Sequence, residues 1–239
     1  VFHVLDQYES RLVEGGTDVT GGGPVDAIAK IVQLEGPTTI AAMFVEPVPG
    51  ANGCLVPPKG YLEGLRKICD QHGILLVFDC VLNGFLRLGT YFGFEEWGAI
   101  PDMILVSKGF TAGYAPLGAV LVNDRIAKHF DDKMLYAGLT YYAHPLAMDV
   151  ADEALAIYDE EDISAKVKQS AVQFSEHIAS IQDRFGASKI PRTRAKGLLG
   201  AFELTLFADE MNRLEKALHH ERVLVQLNRK NDCLIIAPP

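Results

Sequence analysis

Hydrophobic positions along the chain follow two patterns, one typical of amphipathic helices and one typical of buried strands. Apolar residues recur at helical spacing between Val25 and Gly36, and again in "YLEGLRKICDQHG", which follows two prolines and ends at Gly73. Four short apolar runs predict strands, namely "TIAAMFV", "ILLVFD", "DMILVS" and "GAVLVN". Because continuous apolar strands that alternate with helices are typical of parallel sheets covered on both faces, the pattern predicts a mainly parallel α/β fold.

The pattern changes close to residue 150. Residues 148–185 are charged and have helical spacing, which predicts long helices rather than further strands. The last segment combines "KGLLGAFELTLF", a helix around "DEMNRLEKALHHE", and "CLIIAPP", which predicts a smaller α+β unit. We therefore divide the chain into residues 1–150, part of a large domain, and residues 151–239, linking helices and part of a small C-terminal domain.

Charged residues stand at the ends of three predicted strands: Glu46, Asp79 and Lys108. Ligands of parallel sheets bind beyond the carboxyl ends of the strands, so these side chains are candidates for a site. A carboxylate can hold a proton on a basic ring nitrogen, and a desolvated lysine can form a Schiff base with an aldehyde. Pyridoxal phosphate requires both groups. On position alone, a lysine before a glycine at a strand end is more often a solvated loop residue.

Composition and charge narrow the classes of function. The net charge of −9 over 239 residues argues against a nucleic-acid partner, which usually meets a basic face. No basic segment would recruit an anionic membrane, and no apolar run is long enough to span a bilayer. The four cysteines are scattered, without metal-ligand spacing, so we expect free thiols, no metal site and a cytoplasmic protein, with a mitochondrial one left open.

Long ordered motifs resemble a known family. The segment from "EPVPGANGCLVPPKGYLEGL" through "ILLVFDC" to "SKGFTAGYAPLGAV" is similar to the signature region of class III aminotransferases, the ω-aminotransferase and ornithine-aminotransferase group. "GLTYYAHPLA", "AKGLLGAFEL" and "IIAPP" extend the similarity over nearly the whole chain from about Ile40. The resemblance implies a fold type I pyridoxal-phosphate-dependent transferase, with a mainly parallel sheet and part of a small α+β domain. It also implies ping-pong transfer of an amino group from an amine or amino acid to a keto acid, in a homodimer.

The resemblance also assigns individual roles. Lys108 matches the lysine that forms the Schiff base, and Asp79 matches the partner of the pyridine nitrogen. Val81 matches the residue that packs on one face of the ring. Thr140 matches the threonine that reaches the phosphate of the neighbouring subunit's cofactor. Arg229 matches, at looser spacing, the arginine that binds a substrate carboxylate.

Several of these residues have simpler interpretations. Thr140 could cap the helix that follows, and Arg229 could be a solvated surface residue. Glu46 could serve only to end its strand. Arg87 is expected to tie its loop, and His144 to order the turn before the next helix.

The chain departs from the family pattern at three positions and at both ends. Cys80 stands where the family usually has glutamate, and Leu86 and Leu88 stand where it has glycine and threonine. Family members are typically longer, and the turn that holds the cofactor phosphate would precede residue 1, so we expect an incomplete chain. Two alternatives remain open: a decarboxylase or aminomutase of the same family, and a non-catalytic paralogue or fragment that acts as a subunit.

Overall fold

The computed structural model describes residues 1, 3–4, 23–230 and 232–239. Its helices are α1 (Pro24–Glu35), α2 (Tyr61–His72), α3 (Asp124–Ala127), α4 (Pro145–Glu160), α5 (Ile163–Phe185) and α6 (Ala208–His220). Its strands are β1 (Ala42–Val45), β2 (Leu75–Asp79), β3 (Met103–Val106), β4 (Ala119–Val122), β5 (Arg192–Lys196), β6 (Leu199–Glu203), β7 (Gln226–Asn228) and β8 (Cys233–Ile236). Short 3-10 segments include Pro37–Thr39, Glu95–Trp97, Lys108–Thr111 and Lys128–Phe130.

The first sheet contains the strands predicted from the apolar runs, in the order β1-β2-β3-β4. β1 is parallel to β2, and β2 is parallel to β3, which confirms the α/β class. β4 runs antiparallel to β3 at the edge of the sheet. The connection between them, residues 107–118, carries a 3-10 turn but no crossover helix, and a parallel return normally needs such a helix.

Helices α1 and α2 cover the apolar face of this sheet. In α2 the buried positions are Tyr61, Leu62, Leu65, Ile68 and Cys69, which follow the helical period. The helix ends where the sequence predicts: Gly73 has a left-handed φ of 69°, and its N–H donates to the carbonyl of Cys69. Burial of each large aliphatic side chain in this core contributes about 1.5–3 kcal/mol relative to exposure.

The second sheet is antiparallel, in the order β5-β6-β8-β7, and α5 and α6 pack against it. Its core is formed by six buried residues: Ile178, Ile190, Phe202, Leu204, Met211 and Leu234. This unit is the small α+β part of the predicted fold. The predicted division at residue 150 falls within α4, so the domain boundary stays a prediction.

An apolar cluster joins the two sheets. Val48, Cys54 and Leu88 from the large unit pack with Leu199, Ala201 and Ile235 of the second sheet. The loop after β2 contributes Leu88, and the backbone N–H of Leu198, at the turn between β5 and β6, donates to the carbonyl of Arg87 at 3.0 Å. The loop that follows Asp79 is therefore packed against the small unit.

Buried Asp102 fixes the start of β3. Its carboxylate accepts hydrogen bonds from the backbone N–H of Leu76 at 2.8 Å, from Arg66 at 2.9 Å and from Arg125 at 2.7 Å. Asn123 donates to the same carboxylate at 3.1 Å. Burial alone would raise the pKa of Asp102, but these donors outweigh it and lower the pKa to about 2. One carboxylate thus connects β2, β3, α2 and the start of α3.

All four cysteines are free and buried, which confirms the prediction of free thiols. No helix in the described part of the chain is long and apolar enough to cross a membrane.

Candidate active site

Three charged side chains meet at the carboxyl edge of the first sheet. Asp79 is the last residue of β2, and Glu46 follows β1 directly. Because Val45 pairs with Phe78 in parallel register, Glu46 lies level with Asp79. Lys108 follows β3 by two residues and acts electrostatically on Glu46, as Asp79 does. The structure therefore brings together the three strand-end residues that the sequence singled out.

Glu46 combines a structural contact with a place in this charged group. Its Oε1 accepts a hydrogen bond from the N–H of Gly50 at 3.0 Å, which closes the turn after β1. Burial raises the pKa of Glu46 above its ordinary value, while the Gly50 hydrogen bond opposes this rise. The charge of Asp79 raises the pKa further, and that of Lys108 lowers it. The two interpretations of Glu46, strand end and site residue, are therefore compatible.

A backbone hydrogen bond from the loop that follows β2 orients the carboxylate of Asp79. Val81 donates its backbone N–H to Asp79 Oδ1 at 3.0 Å, so Val81 orients this carboxylate in addition to any contact of its side chain. Asn83, which is fully buried, donates from Nδ2 to the carbonyl of Asp79 at 3.3 Å. Its Oδ1 is buried without a hydrogen-bond partner in the described part of the chain. No sequence pattern singles out Asn83, because it stands in a loop, where amides are common.

Lys108 is presented by a strained turn. It is the first residue of the 3-10 segment Lys108–Thr111, and its φ of 49° lies in the left-handed region. For a residue other than glycine this conformation costs about 1–2 kcal/mol. The preceding Ser107 is extended, and its hydroxyl donates to the carbonyl of Leu117 at 2.9 Å. The side chain of Lys108 is exposed, so its amine is accessible to a ligand.

Two neighbouring elements contact this turn. Phe85 packs so closely on Gly109 that a Cβ at Gly109 would lie 2.7 Å from the Cβ of Phe85. The Phe85 ring also stacks on that of Phe110, with centroids 5.3 Å apart and an interplanar angle of 10°. From α4, the hydroxyl of Tyr158 donates to the carbonyl of Gly109 at 2.6 Å. Neither contact was predicted, because each joins residues that are distant in sequence.

Thr140 lies in an exposed turn before α4 and has no described contact with Lys108. It does not cap α4, because His144 occupies the N-cap position and Pro145 begins the helix. His144 thus stands at the turn that it was expected to order. The role of Thr140 at a neighbouring subunit's cofactor stays a prediction.

Arg229 and Arg87 occupy different surroundings. Arg229 lies in the turn between β7 and β8, where it is about half exposed and forms an ion pair with Glu215 of α6 at 2.5 Å. Its predicted role in binding a substrate carboxylate stays a prediction. Arg87 donates to the carbonyls of Leu198 and Pro238, which agrees with its expected role as a loop tie.

The three departures from the family pattern are all buried. Cys80 is inaccessible, and burial, assisted by the charge of Asp79, raises the pKa of its thiol to about 12. This thiol therefore stays protonated and unreactive at neutral pH. Leu88 belongs to the cluster that joins the two sheets. Leu86 has a φ of 69°, which explains why a glycine would suit that position.

The chemistry of these groups fits pyridoxal phosphate. An accessible amine at Lys108 can meet the aldehyde, and the Asp79 carboxylate, held through one oxygen, can meet a protonated ring nitrogen. The residues present therefore match the part of the cofactor that carries the aldehyde and the pyridine ring.

Comparison with known proteins gives a consistent family match. The family model described as aminotransferase class-III matches residues 24–239. A probable aminotransferase of Mycobacterium tuberculosis is 35% identical over 234 residues, which cover 92% of this chain and 50% of that protein. The chain spans about half the length of the curated relatives it matches.

Solved structures agree with the sequence match. An (S)-enantioselective ω-transaminase from Thermomicrobium roseum superposes with a TM-score of 0.88 at 33% identity, covering 100% of this chain and 55% of that one. A taurine:2-oxoglutarate aminotransferase from Bifidobacterium kashiwanohense, solved with pyridoxal phosphate and glutamate, gives a TM-score of 0.87 at 32% identity. The superposition covers 100% of this chain and 56% of the aminotransferase chain. These matches confirm the predicted fold of a pyridoxal-phosphate-dependent transaminase.

Proposed function

Because the chain belongs to the class III aminotransferases, we propose that the protein containing it transfers an amino group from an amine or amino acid to a keto acid by a ping-pong mechanism. The observation that carries this proposal is the juxtaposition of Lys108 with Asp79 and Glu46 at one edge of the sheet. A lysine and a carboxylate so arranged are what the cofactor of this family requires.

Lys108 and Asp79 would hold pyridoxal phosphate, with Val81 against one face of its ring. Lys108 would attach the cofactor covalently through Nζ, and Asp79 would accept a hydrogen bond from the protonated ring nitrogen. When bound, the cofactor supplies a ring that withdraws the electrons left on the substrate carbon. The N–H of Val81 holds Asp79 Oδ1 in place, so the carboxylate keeps its orientation as charge develops in the site.

Lys108 also moves the proton. Its Nζ would take the proton from the substrate carbon that bears the amino group. Such acid–base help contributes about 10²–10⁴ in rate. Glu46 interacts electrostatically with both Asp79 and Lys108 and would contribute to the local charge around this amine.

A second copy of the chain would complete the site. The segment before α4 exposes a run of large apolar side chains: Met134, Leu135, Tyr136, Leu139, Tyr141 and Tyr142. Contiguous exposed apolar surface of this kind supports an interface. Thr140 lies within this segment, which supports its role at the phosphate of the neighbouring subunit's cofactor. The working unit is then a homodimer.

Arg229 would bind a substrate carboxylate. Its guanidinium is partly exposed and pairs with Glu215, an exposed partner that a substrate carboxylate can replace at little cost. The buried free thiols support a cytoplasmic location.

A spectroscopic experiment tests the proposed attachment. The natural polypeptide that carries these residues is expected to show a visible absorbance band that borohydride removes, leaving a cofactor adduct on the peptide containing Lys108. Lys108→Ala is expected to lose both, while Lys128→Ala, which changes another exposed lysine, keeps them. A Lys108→Ala protein with an unchanged band would refute the assignment, and a parent with neither band nor adduct would favour a non-catalytic subunit.

A further inference from the structure

The turn that presents Lys108 is held by a helix residue to which the proposed reaction assigns no part. We propose that Tyr158 is a positioning residue for Lys108, acting through the carbonyl of Gly109. This inference rests on the proposed function of Lys108 as the covalent attachment point. The hydroxyl of Tyr158 donates to the carbonyl of Gly109, so the proposed effect passes through the backbone of the turn.

The turn needs such support because its backbone is strained. Lys108 adopts a left-handed φ, and strained conformations persist only when the surrounding structure determines them. The carbonyl of Gly109, one residue further, accepts hydrogen bonds from the N–H of Ala112 at 3.2 Å and from the hydroxyl of Tyr158 at 2.6 Å. The tyrosine bond is the shorter of the two, and its length is close to the optimum for an O–H donor.

Phe85 supports the turn from another direction. It leaves no space for a Cβ at Gly109 and stacks on Phe110, so the peptide that links these residues has little freedom to rotate. Tyr158 holds the carbonyl of Gly109 and Phe85 packs on its Cα, so the turn is supported from two sides. Loss of either support would allow Lys108 to relax toward its preferred negative φ, which redirects Nζ.

The loop of Phe85 and helix α4 also meet away from the Lys108 turn, at Tyr91. Tyr91 donates its hydroxyl to Asp159 at 2.5 Å, next to Tyr158 on α4, and its carbonyl accepts the N–H of Phe85 at 2.6 Å. The loop that carries Phe85 and the helix that carries Tyr158 are therefore tied to each other. Burial raises the pKa of Tyr158, with the charge of Arg87 opposing, so its hydroxyl stays a donor at neutral pH.

The test measures how fast Lys108 reacts with pyridoxal phosphate in the natural polypeptide freed of cofactor. The Lys108 amine condenses with the aldehyde and releases water, and borohydride then reduces the C=N bond to a stable amine that peptide mass mapping locates. Tyr158→Phe keeps the ring and removes only the hydroxyl. We expect its limiting rate of adduct formation at Lys108 to fall about three- to tenfold, the range of one lost hydrogen bond, with an unchanged half-saturating concentration.

Tyr91→Phe is the matched control. It removes an exposed tyrosine hydroxyl bonded to the neighbouring residue of α4, keeps the backbone bond between Tyr91 and Phe85, and leaves the Tyr158–Gly109 bond in place. We expect it to label Lys108 at the parental rate, with both variants melting at similar temperatures. Equal rates for Tyr158→Phe and the parent would refute the positioning role of Tyr158 but not the proposed function of Lys108. Equal slowing in both variants would assign the effect to general loosening and also refute it. No adduct at Lys108 in the parent would refute the proposed function itself.

Discussion

Replacement of Asp102 by asparagine should destabilise the fold by an amount that depends on pH. The carboxylate accepts hydrogen bonds from two guanidiniums and from the Leu76 N–H. An asparagine keeps one acceptor oxygen and turns an NH₂ group toward these donors. We expect Asp102→Asn to lower the free energy of unfolding at pH 7 by about 2–3 kcal/mol, as for other part-buried charged pairs that lose one partner.

The pH dependence follows from the pKa of Asp102. Its folded value of about 2 lies below the ordinary 3.8, so the charged carboxylate stabilises the folded state. This contribution is complete above the ordinary value and is lost as pH falls from about 4 toward 2. Between pH 5 and pH 3 the free energy of unfolding of the parent should fall by about 1 kcal/mol through Asp102. This is an upper figure, because Arg125 is exposed and solvent screens its charge.

Urea denaturation at pH 7, 5 and 3 measures both effects. Asp70→Asn is the control, because Asp70 pairs with the same Arg66 at 2.8 Å but is exposed, and it should cost less than about 0.5 kcal/mol. The reasoning fails if the two variants are equally stable, or if Asp102→Asn keeps the parental loss between pH 5 and pH 3.

Two further predictions concern the site and the interface. Asp79→Asn should retain pyridoxal phosphate but lower kcat roughly 10²–10³-fold, because the ring nitrogen loses its charged partner. Cofactor titration and steady-state kinetics measure the two effects, and turnover at the parental rate would contradict the prediction. Leu139→Glu should place a charge in the exposed apolar segment and shift the proposed dimer toward monomer in sedimentation velocity. Leu34→Glu, which changes an exposed leucine of α1, should leave the sedimentation of the parent unchanged, and equal behaviour of the two variants would contradict the proposed interface.

The sequence predicted the class of fold and the position of the charged group for one reason. Strand ends can be read from apolar runs, and parallel strands bring their carboxyl ends to the same edge. This is why the sequence alone predicts that Glu46, Asp79 and Lys108 lie at one edge of the sheet, where their charges interact. The direction of β4 could not be predicted, because an apolar run has the same composition in either orientation and the short connection decides.

The contacts that support the Lys108 turn could not be predicted from the sequence. Tyr158 is one more position in a helical pattern, and its partner Gly109 lies 49 residues earlier. Asn83 and Phe85 gain their importance from close contacts that no periodicity encodes. The boundary at residue 150 was set by the onset of charged helical spacing, whereas Pro145 already begins α4. Thr140 and Arg229 stay predictions because their proposed partners are a second subunit and a substrate.

The bonds between the loop after Asp79 and the C-terminal unit also set an order of events during synthesis. Arg87 contacts Leu198, 111 residues later, and Pro238, 151 residues later. A ribosome that adds about 5–20 residues per second needs roughly 6–20 s to cover the first of these separations. The loop that supports the lysine turn therefore cannot reach its final form while the strands around Lys108 alone have emerged. The proposed attachment of the cofactor at Lys108 would then follow synthesis of the C-terminal unit.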